Sequence, residues 1–166
     1  MVNELIFERF KSNNLTDSQC QLVQKILKHY ILGIFISRSG GDILYDFQLD
    51  ESIKIDLISH FIAALSMFGE ENVGKIKRIF IEGLDIEMSI VQKHDLVSVT
   101  FFRPNMVKDY LEAESSKGLD LFYNMFEESI KAGKNNKAIY EGFDDPMCHL
   151  IQEYLQRLGI LKDKEK

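Results

Sequence analysis

A chain of 166 residues that is 45% hydrophobic and 28% charged is long enough for one domain with a real core and too apolar for a disordered segment. Its 26 acidic against 20 basic residues give a formal net charge of −6. That balance argues against general nucleic-acid binding, which draws on excess Lys and Arg to neutralise phosphates.

Two cysteines, Cys20 and Cys148, are too few for a disulfide framework and read as reduced thiols. Residues Met1 to Phe10 lack the basic start and continuous apolar run of a secretory signal, and Glu4 and Glu8 interrupt them. No window approaches the roughly 18 uncharged apolar residues of a membrane span. The expectation is a cytoplasmic protein, at most peripheral at membranes through its partners.

In chain order, Leu5, Ile6 and Phe10 predict a short helix that Asn13-Asn14 ends. Asn14-Leu15-Thr16 has the form of a glycosylation sequon, which without a secretory signal is a chance match. Thr16 or Asp17 can cap a second helix, with Leu22, Val23, Ile26, Leu27 and Tyr30 as its apolar stripe. At Ile31 the period changes. Ile31 to Ile36 reads as a strand, Ser37 to Asp42 as a turn whose two glycines permit positive φ, and Ile43 to Phe47 as the returning strand. Asp50 or Ser52 opens a helix whose core stripe is expected to be Ile53, Leu57, Ile58, Phe61, Leu65 and Phe68, with Gly69 as C-cap.

Three strands follow, Lys75 to Glu82, Ile86 to Val91 and Leu96 to Phe102, joined by Gly83-Leu84-Asp85 and by Gln92 to Asp95. Connections this short force antiparallel neighbours. The continuous apolar run from Val97 to Phe102 predicts a sheet covered on both faces. Pro104 stops the last strand. A helix in two parts follows, with Leu119, Phe122, Tyr123, Phe126 and Ile130 on its stripe. Ala132 to Lys137 reads as a polar, flexible linker. Asp144 or Asp145 with Pro146 starts a final helix carrying Met147, Leu150, Ile151, Tyr154, Leu155 and Leu158.

The predicted architecture is an α/β (α+β) fold with a five-stranded antiparallel sheet between helical layers. It divides into an N-terminal helical extension (1–30), a core (31–132), and a linker with the C-terminal helix (133–166).

The sequence carries no motif that assigns catalytic, cofactor-binding or metal-ligating residues. Gly69 to Ile76 has the glycine and lysine spacing of a phosphate loop, but Ile76 replaces the magnesium-holding Ser or Thr, and the predicted order is helix to strand. His29, His60, His94 and His149 show no metal-ligand spacing, and Cys148-His149 reads as chance adjacency. Cys20 lacks the glycines of a nucleophile elbow. The adjacent acids Glu70-Glu71, Glu127-Glu128 and Asp144-Asp145 diverge on a helix and read as solvated charges. Lys75, Lys77 and Arg78 form a basic cluster. It serves either as a patch for an acidic partner or as charges guarding a sheet edge, the second being preferred.

Leu32-Gly33-Ile34-Phe35-Ile36-Ser37-Arg38-Ser39-Gly40-Gly41-Asp42-Ile43-Leu44-Tyr45 resembles the opening hairpin of longin domains and of the related roadblock proteins. Phe61 to Glu71 is similar to the first core helix of those folds, and the meander to Phe102 and the helix through Leu119 to Phe122 complete the order. The likeness spans roughly Ile31 to Ile130. The lead-in is longer than either family usually carries, and the closing helix suits longin better than roadblock.

These families are non-enzymatic platforms in vesicle-trafficking adaptors, tethering complexes and regulators of small Ras-like GTPases. The resemblance implies a cofactor-free interaction module that binds a small GTPase, another longin or roadblock subunit, or both, as a homo- or heterodimer and without nucleic acid. Its contacts would be an edge strand at Ile43, Tyr45 and Phe47 or at Lys75, Lys77 and Arg78, and the outer side of the central helix near Ser59 and His60. The competing expectation is a small-molecule sensor of the PAS or GAF type, which would need a cavity with convergent polar groups.

Overall fold

The change of period at Ile31 is where the chain passes from helix to sheet. The structure is a computed structural model that describes residues 15–49, 54–68, 78–81, 85–105 and 108–161. The helix expected around Leu5 to Phe10, the Gly69 to Ile76 loop with Lys75, and Lys77 lie outside the described residues.

Helix α1 runs Asp17–Tyr30 and starts on a reciprocal cap. Thr16 Oγ1 accepts from the Gln19 amide at 3.2 Å, and Gln19 Oε1 accepts from the Thr16 amide at 3.0 Å. Its buried stripe is Cys20, Val23 and Leu27, whereas Leu22, one step around from Val23, faces outward. Tyr30 passes directly into β1 (Ile31–Arg38), which pairs with β2 (Ile43–Gln48).

Of the two turn glycines only Gly41 has a positive φ, at 102°. A Cβ there would lie 2.6 Å from the Ser59 carbonyl oxygen, whereas one on Gly40 would meet nothing within 4 Å. Gly41 is therefore where the hairpin touches α2 (Ile55–Phe68), and Ser59 Oγ donates to its carbonyl at 2.5 Å.

The meander is β3 (Arg78–Ile81), β4 (Ile86–Lys93) and β5 (Leu96–Phe102). Between β4 and β5 only His94 and Asp95 remain, at φ 57° and 58°, the two left-handed residues of a tight hairpin. The sheet order is β2-β1-β5-β4-β3, every pair antiparallel, with register such as Phe35 opposite Val99 and Ile90 opposite Val99. This is the α+β class, with the five antiparallel strands that the sequence predicts. β5 stands at the centre, and all seven of its residues are buried.

Both faces are covered. Ile58 and Ile62 of α2 pack on Leu32, Phe35, Met88, Val97 and Val99. The opposite face meets α1, α3 (Leu111–Lys131), a 3-10 helix (Lys137–Phe143) and α4 (Asp144–Arg157). Each fully buried Leu or Phe there contributes roughly 1.5–3 kcal/mol.

Helix α3 is one element rather than the two parts expected, and its internal irregularity at Phe126 (φ −121°, ψ 20°) falls within the stripe from Leu119 to Ile130 that was expected to be continuous. The expected linker is a hydrogen-bonded turn. Arg38, at the end of β1, donates through Nη1 to the Ile130 carbonyl (2.9 Å), through Nη2 to the Lys134 carbonyl (3.0 Å) and through Nε to Asn135 Oδ1 (2.6 Å). Its charge also complements the carbonyl end of α3. The 3-10 helix then drives Tyr140 and Phe143 into a cluster with Phe122, Phe126 and Tyr45. Tyr45 fastens α4 as well, because its hydroxyl donates to Asp144 Oδ1 at 2.6 Å.

Candidate functional site

The outward side of α2 differs from the other helix surfaces. Leu57 and Met67 are 67% and 66% exposed, and His60 and Ala64 between them are exposed too. The spacing 57, 60, 64, 67 places all four on one stripe. Across its 14 residues Asp56 is the only Asp, Glu, Lys or Arg. Helical spacing in the sequence predicts Leu57 in the core stripe. The structure corrects this, with Ile58 and Ile62 as the buried pair and Phe61 and Leu65 partly buried. Periodicity selects a face only when the other side is polar, and this helix is apolar almost all round.

Other candidate contact residues fall as follows. His60 is exposed, its Nδ1 donating to the Asp56 carbonyl at 2.6 Å. Ser59 is half-buried, and its hydroxyl is committed to the Gly41 turn. Ile43, Tyr45 and Phe47 are all buried, at 7%, 4% and 3% exposure. A partner added to edge strand β2 would thus meet main chain rather than those side chains. The extra residue Leu44 bulges at the point where the β1–β2 register shifts, so that Ile43 packs under α2 and Tyr45 on the opposite face. Arg78 is exposed on the other edge strand, β3, opposite Ser89.

Charged side chains also gather at the β4–β5 turn and at the start of α3. At the β4–β5 turn Asp120 of α3 accepts from Lys93 Nζ (2.8 Å) and pairs with His94 Nε2 (2.7 Å), and the His94 ring stacks on Tyr123 at 4.4 Å. The Lys93 hydrogen bond, with that of His94 second, holds the Asp120 carboxyl below the usual aspartate range. With His94 Nε2 spent on Asp120, this pair fastens the hairpin tip to α3. At the start of α3, buried Glu87 is paired with Lys108 at 2.5 Å.

Among the described residues no three or more His, Cys, Asp or Glu converge as metal ligands, and no helix is long and apolar enough to cross a membrane. Cys20 and Cys148 are buried and not disulfide-bonded. No protein-family model matches the chain, and no curated protein matches it.

Proposed function

We infer that this chain is a non-catalytic protein-interaction module that docks a partner on the outward side of α2. The observation that carries the reading is the Leu57-His60-Ala64-Met67 stripe, which leaves two large apolar side chains two-thirds in water on a helix with one charged residue. Covering such side chains is worth roughly 1–2 kcal/mol each, enough to anchor an interface centre. The likeness of the hairpin, helix and meander to longin and roadblock proteins supports a small Ras-like GTPase as the partner, bound beside another longin-type subunit in a trafficking or tethering complex. Such a role suits a cytoplasmic chain that reaches membranes through its partners. Regulation would need only different affinity for the two nucleotide states of the GTPase.

The test is pull-down of GDP- and GTP-analogue-loaded small GTPases from the same source by the wild-type chain and by Leu57→Glu/Met67→Glu. The wild type should retain one GTPase in one nucleotide state, and the double variant should lose it while keeping its circular dichroism and unfolding midpoint. Equal capture by both proteins would remove α2 as the docking face, and indifference to every GTPase would remove that partner. A wild-type dimer in light scattering that the double variant turns into a monomer would identify a second copy as the occupant.

A further inference from the structure

The other face of the sheet holds a small cavity, about 50 Å³, where β1 and β5 pass beneath α3 and α4. Small residues make the room. Ser98 and Thr100 lie at the centre of β5, opposite Ile36 and Ile34, and Ser115 and Gly118 face the cavity from α3. A Cβ on Gly118 would already come within 3.3 Å of Leu150 Cδ1. Ile34, Ile36, Leu150 and Ile151 give the wall an apolar character.

Glu114 is the one charged residue lining this space. It is only 6% exposed, and among the described residues neither of its buried carboxylate oxygens accepts a hydrogen bond. Arg157, half in solvent, stands 3.1 Å from Oε1 but without hydrogen-bonding geometry, and its guanidinium also lies over the Tyr110 ring at 5.5 Å. Burial pushes the Glu114 carboxyl up from its ordinary value, against the pull of Arg157 and Lys117. A buried carboxylate without donors is costly unless something supplies them.

We propose that this cavity binds a small primary amine, its ammonium group donating to the Glu114 carboxylate and its short apolar body lying between the β1 isoleucines and α4. Size fixes the class. At about 10–15 Å³ per water-sized group the space holds roughly three to five such groups, a butyl chain rather than a drug-sized ligand. Charge fixes the head. An ammonium brings three charge-assisted donors to buried oxygens that Arg157 approaches but does not hydrogen-bond, and an alcohol brings one neutral donor. The site stands apart from the α2 docking face and is independent of it. It supplies the cavity that a sensor would need.

The experiment titrates n-butylamine and n-butanol into the full chain, following the amide resonances of Ser115 and Gly118 by NMR. The amine should saturate with Kd between about 10 µM and 1 mM, as its few heavy atoms permit. Butanol should bind at least about tenfold more weakly. Glu114→Gln should lose the amine by at least about tenfold and no longer distinguish it from the alcohol. Ser98→Val narrows the cavity from the sheet side with Glu114 intact and should weaken both ligands, so a Glu114 variant that fails to fold does not leave the proposal open. Unsaturated shifts at millimolar amine would mean that the cavity holds water only. Equal binding of amine and alcohol, or wild-type affinity in a folded Glu114→Gln or in Ser98→Val, would equally overturn it.

Discussion

Gly40 and Gly41 are adjacent in one turn, and the structure assigns them opposite sensitivity to the same methyl group. At Gly41 an alanine must hold φ near 102°, which costs an L-residue about 1–2 kcal/mol. Its Cβ must also stand 2.6 Å from the Ser59 carbonyl oxygen and 3.0 Å from the Ala63 Cβ, so α2 has to withdraw. Such overpacking costs about 1–3 kcal/mol. Withdrawal breaks the Ser59–Gly41 hydrogen bond, a further loss of about 1 kcal/mol. Gly41→Ala is therefore expected to destabilise by about 3–6 kcal/mol and to lower Tm by roughly 6–24 °C for a chain of this size. Gly40→Ala meets open space at a φ outside the left-handed range. It should be neutral, or stabilising by up to about 1 kcal/mol through the unfolded chain. Urea unfolding with an unchanged slope and a shifted midpoint measures both. Equal losses at the two positions, or a Gly41→Ala effect under about 1 kcal/mol, would refute the account of how α2 docks on the hairpin.

Two further outcomes test the opposite face. Arg38→Met removes three side-chain hydrogen bonds to the C-terminal end of α3 and its turn. It should cost about 2 kcal/mol in urea unfolding and speed amide exchange at Gly133 and Lys134. Arg38→Lys should rescue little, because an ammonium lacks the fork. Burial, with Asp109 adding to it, pushes the Tyr154 phenol from near 10 up to about 12. Between those values the unfolded chain releases a proton that the folded chain keeps. Stability should therefore fall as pH rises through that window, by up to about 2–3 kcal/mol, and Tyr154→Phe should flatten the fall. An identical alkaline profile in the variant would place that loss in other groups.

The sheet was legible because each signal was local. Gly41 lies within a few residues of both strands it joins, and Val97 to Phe102 shows its two-sided burial as an unbroken apolar run. The Thr16–Gln19 cap and the buried stripe of α4 were equally local. The features near the candidate sites were less visible because they are made by distant partners. Arg38 finds its acceptors more than ninety positions away, and Glu114 meets Arg157 only once α3 and α4 lie side by side. The 3-10 helix does carry a sequence signal, in the three-residue spacing of Tyr140 and Phe143. Leu57 shows the opposite problem. In a helix apolar almost all round, sequence shows that some large side chain must be left in water, and only the fold shows which.

That exposed side of α2 is best weighed against the other helices. Asp17, Lys25 and Lys28 cover the outer side of α1, and Glu112, Lys117, Glu128 and Lys131 that of α3. Apolar residues do surface there, such as Leu22 at 40% and Met125 at 49%, but with charges around them. Charge on an exposed helix costs little and suppresses nonspecific association. Selection for solubility alone would therefore put Glu or Lys at 57 and 67 as readily as on α1 or α3. Packing on the sheet does not demand Leu57 or Met67 either, since Ile58 and Ile62 already fill that side. Stability and solubility are thus indifferent or opposed to these two side chains, which is what makes them the place to test the proposed docking. A Leu57→Glu/Met67→Glu protein that folds as well as the wild type is the decisive reagent, because it separates docking from the fold.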